Sequence, residues 1–246
     1  MRHFLFLFFA CSALNLFSQE VIPTSEGPLN IFPVLHSSMV WQWQGQNILI
    51  DPYGGADLYK EHPPHLILIT DIHGDHYNVE TLQGLPLTNT SIIAPAAVKE
   101  LMSDDMAQKV TVLENGKTTS NNGITVKAVP MYNLPENDES RHPKGRGNGY
   151  VVSIGGTNIY ISGDTEDIPE MRTLKDIDIA FVCMNLPYTM DVSQAADAVI
   201  EFQPKVVYPF HYRGSGGKFS DVEQFKSLVE ASGKDIEVRL RNWYNN

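Results

Sequence analysis

Cysteine is almost missing from this chain: two in 246 residues, Cys11 and Cys183. Cys11 falls in a segment expected to be removed on export, which leaves Cys183 alone and excludes an intramolecular disulfide. The chain is therefore not one of the small domains held together by disulfide bridges. The run before Cys183, Ile179-Ala180-Phe181-Val182, is the setting of a core thiol rather than of a nucleophile. Positive charge is scarce as well, with 18 Lys and Arg against 29 Asp and Glu and a net charge of −11. That balance argues against a nucleic-acid partner, which would call for a basic face. No apolar run reaches the roughly 20 residues that a membrane-spanning helix needs. Phe4 to Phe17 is short of that and is interrupted by Ser12 and Asn15. Repeats, low-complexity tracts and linkers are lacking too.

The N-terminus carries a secretory pattern. Arg2 and His3 form a basic start, the Phe4–Phe17 run follows, and Ser18 is a small residue suited to cleavage before Gln19. The reading is a signal peptide over residues 1–18 and one mature domain over 19–246, secreted or periplasmic and without stable membrane insertion after cleavage. Lipidation at Cys11 is the alternative, although Phe8-Phe9-Ala10 makes a poor lipobox. A hydrophobic fraction of 42% and a charged fraction of 19% are ordinary for a globular protein.

Along the mature chain, Val21 to Asn30 reads as a polar lead-in. Strands follow over 31–35, 39–43 and 47–50, the last two joined at Gln44-Gly45-Gln46. Strands are expected again over 66–70, 91–94, 110–113, 124–129, 150–154, 158–162, 178–183, 206–210 and 236–240. Helices are expected over 79–85, from Pro95 onward, after a cap at Ser193, and over 221–231. Hairpins among the strands require antiparallel pairing. Two facing sheets with helices outside both, an αββα sandwich of four layers, fit better than a doubly wound sheet. Met131 to Asn148 is a long polar loop, and Gly145-x-Gly147-x-Gly149 reads as the hinge of a lid. The same glycines precede a strand rather than open a helix, so they are not a nucleotide-phosphate loop.

The chemistry concentrates after the strand at Leu66–Thr70. Asp71, His73, Asp75 and His76 follow one another within six residues. Packing gives no reason to gather two imidazoles and two carboxylates there, whereas a divalent cation satisfies all four. His142 stands in the long loop, Asp164 follows the strand ending at Ser162, and His211 follows Val206–Phe210. Together they make seven candidate metal ligands: Asp71, His73, Asp75, His76, His142, Asp164 and His211. His36 and Asp51 stand nearby as candidate accessories. Lys144, Arg146 and Arg213 are cations able to hold an anionic substrate group. Trp41 and Trp43 alternate along a strand and read as packing.

These motifs, in this order from about Ile31 to Arg213, resemble the metallo-β-lactamase superfamily of metallohydrolases. The residues in question are Asp71-x-His73-x-Asp75-His76, the distal His142, Gly163-Asp164-Thr165 and the final His211. His36-Ser37-Ser38 and Ile50-Asp51-Pro52 look closest to its lactonase-like and N-acyl-phosphatidylethanolamine phospholipase-like branch. The resemblance implies a first metal on Asp71, His73 and His142 and a second on Asp75, His76 and His211, with Asp164 between them. Asp71 departs from the family, whose usual residue there is His. A carboxylate still ligates, but it moves preference from Zn²⁺ toward Mn²⁺ or Fe²⁺ without excluding zinc.

The expected function is that of an exported metallohydrolase. A metal-bound hydroxide would attack an ester, lactone or phosphodiester bond of a small-molecule substrate, with Asp75 and His36 as catalytic residues. A metal-binding scaffold or sensor without hydrolytic activity is the alternative that Asp71 keeps open.

Overall fold

The computed structural model describes residues 19–244, so the expected signal segment and Cys11 lie outside the described residues. Fourteen strands pair into two sheets of seven. The first holds β1 (Glu20–Thr24), β2 (Gly27–Leu35), β3 (Ser38–Trp43), β4 (Gln46–Ile50), β5 (Leu66–Leu68), β6 (Ser91–Ala94) and β7 (Val110–Val112), in that order. The second holds β8 (Thr118–Asn121), β9 (Ile124–Met131), β10 (Gly147–Ile154), β11 (Thr157–Ile161), β12 (Ile179–Cys183), β13 (Val206–Phe210) and β14 (Glu237–Val238), also laid out in chain order. Each sheet starts antiparallel and turns parallel, from β4 in the first and from β11 in the second. No helix among the described residues is long and apolar enough to cross a membrane.

Alternation along the strands decides which face each residue covers. Ile48 and Ile50 of β4 enter the core between the sheets, whereas Leu49 between them joins a second core on the outer face. Leu66 and Leu68 split from Ile67 in the same way. These strands are buried on both sides and read as continuous apolar runs, as strands covered on both faces should. Helix Val79–Gly84 brings Leu82, and helix Ala96–Glu100 Val98, onto the outer core of the first sheet. Helix Val192–Phe202 sets Ala195, Ala196, Val199 and Phe202 against the second sheet. The result is the four-layer αββα sandwich, with Trp41 and Trp43 buried between the sheets.

The expected strands over 66–70 and 236–240 shorten to Leu66–Leu68 and Glu237–Val238, Thr118–Asn121 is a strand that was not expected, and three further local expectations change. Val21–Asn30 is a hairpin rather than a lead-in: Pro23 lies opposite Pro28, which only an edge pairing accepts, and Ile22 and Leu29 bury their side chains. The helix at 192 is capped by Asp191, not Ser193. The Asp191 carboxylate accepts from Gln194 N at 2.8 Å, and Gln194 Oε1 accepts from Asp191 N at 2.9 Å, a reciprocal capping box. Gly147 and Gly149 lie inside β10 and are not a hinge. A Cβ on Gly147 would stand 2.9 Å from Thr70 O, and one on Gly149 2.8 Å from Ser162 O. Close approach of backbones is what glycine supplies there. The two glycines let β10 pass against the ends of β5 and β11, the rim where the ionisable residues stand.

Candidate metal centre

Asp51 organises the first side of the site. It follows β4 with a φ of 42°, and its N–H donates to Leu68 O of the neighbouring strand at 2.9 Å. Its carboxylate is fully buried, with Oδ1 accepting from Thr70 N at 2.8 Å and Oδ2 from Thr70 Oγ1 at 2.7 Å. Oδ2 also accepts a hydrogen bond from His76 Nδ1 at 2.8 Å. That bond fixes the tautomer and turns Nε2 of His76 toward Asp164 Oδ2, 3.4 Å away. His36 and His211 share the left-handed backbone of Asp51, with φ of 55° and 46°. Each such non-glycine residue costs about 1–2 kcal/mol, so three of them round one site mark where the fold carries strain.

His142 is held as firmly, although it lies in the long loop. Its N–H donates to Asn133 Oδ1 at 2.8 Å, and its Nδ1 stands 3.1 Å from the same oxygen. Asn133 is itself anchored through Nδ2 on Tyr188 O at 2.9 Å. Nε2 of His142 is thereby presented to Asp164 Oδ2 at 3.3 Å and to Asp71 Oδ2 at 3.8 Å. Asp164 follows Gly163, whose φ of 62° makes the turn. His211 closes the site from the end of β13, its Nε2 3.4 Å from both Asp75 Oδ2 and Asp164 Oδ1 and 3.3 Å from Asn185 Nδ2.

All seven residues singled out in the sequence converge. Asp71, His73 and His142 form one group, His76, Asp164 and His211 a second, and His36, Asp75 and His211 a third; within each, one donor atom per residue lies within 4.8 Å of the others. The first group is the set expected for one ion. In the second, Asp164 stands where Asp75 was expected, with Asp75 Oδ1 4.0 Å from His76 Nε2. Asp164 spans the groups, one oxygen toward His142 and His76 and the other toward His211. His76 Nε2, His142 Nε2 and Asp164 Oδ1 are buried without a hydrogen-bond partner among the described residues, and His73 Nδ1 faces only the Asp71 carboxylate, 2.5 Å away. Buried polar atoms are rarely left so, and imidazole and carboxylate donors aimed at one space are what divalent cations take. The residues fit metal.

Charge is poised accordingly. Burial raises the Asp71 carboxyl, yet the adjoining His73 and the imidazoles of His76 and His142 outweigh it and bring it down to about 2. Burial disfavours charge on His76, but Asp164, Asp51 and Asp75 draw its pKa well above the ordinary value. Burial pushes Asp164 up, and His211, His76 and His142 hold it well below the usual carboxylate range. His36 goes the other way, lowered to about 4 by burial and by the neighbouring His211 and Arg213. Its Nε2 is engaged by Arg213 Nη2 at 2.7 Å. Asn133, Thr70 and Asn185 are site residues that the sequence did not single out.

Two facing sheets with a ring of histidine and aspartate at one rim define a metallohydrolase of the β-lactamase type. The chain belongs to the β-lactamase superfamily, whose domain model matches residues 32–211, and within it to the UPF0173 metal-dependent hydrolases. It is 30% identical over 193 residues to a UPF0173 metal-dependent hydrolase of Thermococcus onnurineus, covering 75% of this chain and 85% of that one. It is similar in structure to a candidate metal-dependent hydrolase of Parabacteroides distasonis, with 38% identity, a TM-score of 0.80 and coverage of 92% of this chain and 98% of that one. The metallo hydrolase Igni18 of Ignicoccus hospitalis shares the fold at 22% identity and a TM-score of 0.73, over 88% of this chain and 96% of its own.

Asp51→Ala strips His76 Nδ1 and the Thr70 amide of their acceptor. Losing such a partner behind a metal-binding histidine lowers metal affinity about 10- to 100-fold. Competition against a chromogenic chelator measures it, and an unchanged affinity would deny Asp51 that role.

Proposed function

We propose that the chain is an exported hydrolase that cleaves an ester, lactone or phosphodiester bond of a small molecule at a two-cation centre. Asp71, His73 and His142 would hold one ion, and His76, His211 and Asp75 the other, with Asp164 between them. Divalent cations there would acidify a bound water and polarise the scissile carbonyl or phosphoryl oxygen. Zinc suits the imidazole donors, and Asp71 admits manganese or iron.

The chain's own groups do the rest. Asp51 and Asn133 fix the ring orientation of His76 and His142. Asp75, the carboxylate of the set that keeps a third of its side-chain surface exposed, receives the proton shed by the attacking water and passes it to the leaving group. His36, whose Nε2 already accepts from Arg213, positions that arginine and is not the proton carrier. The carrying observation is that His76 Nε2, His142 Nε2 and Asp164 Oδ1 are buried without hydrogen-bond partners inside two groups of converging ligand atoms.

Arg146 favours a second reading. Its Nε and Nη2 donate to both oxygens of Asp71 at 3.3 and 3.2 Å, so it competes with a cation for that carboxylate. A centre holding one ion, or a scaffold without turnover, is the form this would take. Turnover of bis(p-nitrophenyl) phosphate and of simple lactones, before and after chelation, separates the readings. The hydrolase should lose at least 99% of its rate on chelation and regain it with zinc or manganese. A metal-loaded protein that turns over neither substrate class would overturn the hydrolytic reading. Export is tested separately by the N-terminal residue of protein from the periplasm or medium, expected to be Gln19.

A further inference from the structure

Three cations from the loops around the site were available to meet an anionic substrate, and the structure separates them. Lys144 is spent on Glu170 at 3.1 Å and Glu136 at 3.3 Å. Arg146 is spent on Asp71. Arg213 has no carboxylate within 4.0 Å among the described residues, and its one side-chain hydrogen bond there goes to a neutral acceptor, His36 Nε2. A guanidinium carries five N–H donors and is always charged. The His36 nitrogen facing it must therefore be the unprotonated one, and most of the arginine's donors stay uncommitted.

The same arginine is held in place. Its guanidinium carbon lies 4.6 Å from the centroid of the Tyr244 ring, and its backbone N–H donates to Tyr244 Oη at 3.2 Å. Tyr244 in turn stacks edge-on against His36, ring centroids 5.3 Å apart. His36 is tied to the metal-side strand end by His211 N donating to its carbonyl at 3.2 Å, and its ring stands 5.2 Å from that of His211. Arg213 itself lies two residues beyond His211 and is half-buried. A side chain usually free to wander is thus fixed on three sides at the rim of the site. Its surroundings make the charge useful. Asp51, Asp71, Asp75 and Asp164 all lie within or behind the cluster, where bound cations would offset them, and Arg213 adds at the rim a positive charge that no carboxylate among the described residues cancels.

We propose that Arg213, braced by His36 and Tyr244, is the residue that anchors a negatively charged oxygen group of the substrate, so that the enzyme selects anionic substrates bearing a phosphate or carboxylate oxyanion. This rests on the hydrolytic reading of the same centre and adds to it the class of molecule that enters. The planar fork supplies two parallel donors to such a group, which a lysine does not. His36 acts as a positioning residue: it keeps the fork turned toward the site and, being neutral, leaves the charge uncancelled.

The test is direct binding to the metal-loaded full chain by calorimetry, with inorganic phosphate and acetate as anionic probes and imidazole as a neutral ligand for the same cations. Arg213→Met should weaken the binding of at least one anion tenfold or more and leave imidazole binding and metal content within twofold. Phosphate losing more than acetate assigns a phosphoryl group, and the reverse a carboxylate. Arg213→Lys, which restores charge without the fork, should recover part of the loss, and His36→Gln should lose less than Arg213→Met. Anion affinities unchanged in Arg213→Met would overturn the proposal, as would equal weakening of imidazole, since the residue would then act through the metals or the fold. Dependence of anion binding on Arg213 in a protein that hydrolyses nothing would leave this inference standing and remove the hydrolytic one.

Discussion

Replacing Asp164 by alanine is expected to cost the enzyme at least 1,000-fold in kcat/KM and to empty it of most bound metal. Its carboxylate touches His142 and His76 with one oxygen and His211 with the other, and it is the only carboxylate of the seven to reach imidazoles of both proposed ion sites within 3.5 Å. Without it the cluster loses the charge that would hold two cations near each other, and three imidazoles are left facing a gap. A 1,000-fold loss corresponds to about 4 kcal/mol of transition-state stabilisation. Asp164→Asn keeps the shape and removes only the charge, so it should fall nearly as far. Steady-state kinetics and metal analysis on the folded variants, checked by circular dichroism, decide it. Either variant retaining activity within tenfold of the parent would contradict the bridging position.

Arg146→Met is expected to destabilise the metal-free protein by about 2 kcal/mol, because the buried Asp71 carboxylate loses two charged hydrogen bonds and keeps only the neighbouring imidazoles. Asp71 has no exposed surface, and Arg146 keeps 21% of its side chain exposed. The cost should shrink in the metal-loaded protein, where a cation also neutralises Asp71. It should shrink again in the Asp71→His, Arg146→Met double variant, since a neutral histidine needs no counter-charge. That coupling should amount to about 2 kcal/mol, well within the range measured for residues in contact. The sign with pH follows from the lowered carboxyl. Asp71 moves from 3.8 to about 2 on folding, so its stabilisation is complete above pH 4 and disappears as pH falls toward 2. Urea unfolding of the four proteins with and without metal measures all of this. If Arg146→Met leaves the metal-free midpoint unmoved, the pair does not compensate the buried Asp71.

Why the aspartate is tolerated there was not visible in the sequence. The two residues lie 75 positions apart, and no local pattern joins them. Six of the seven candidate ligands were legible because they stand just beyond a short apolar run, and a strand end at a sheet rim fixes direction as well as position. His142 lacks that signal. What fixes it is Asn133, a single asparagine nine residues earlier whose amide has no spacing rule to announce it. Thr70 and Asn185 were unreadable for the same reason: one polar residue beside a strand looks the same whether it faces solvent or holds a ligand. The glycines of 145–149 show a different limit. Spacing reveals where a side chain is missing, but not whether the gap serves rotation or close packing, and at Gly147 and Gly149 it serves packing. The N-terminal hairpin was hidden by Pro23 and Pro28, which forbid a central strand yet fit an edge, and an edge is where β1 lies.

The strand pattern was clearer than its caps. Runs such as Val206–Phe210 and Ser91–Ala94 emerge with the bounds expected, since burial on both faces keeps them apolar through their middles. Helix starts depend on which of several neighbouring oxygens accepts a bond, and at 191–194 that choice fell to Asp191 because Gln194 could reciprocate.

Metal content of the protein purified without added metal, taken as the parent and the Asp164→Ala variant side by side, tests most directly whether these residues form one centre. Between one and two equivalents of a transition metal are expected in the parent, removable by chelator and reloaded to two, with most of it gone from the variant. A parent that neither carries nor takes up metal, with the same folded structure, would show that the seven side chains meet for some other purpose.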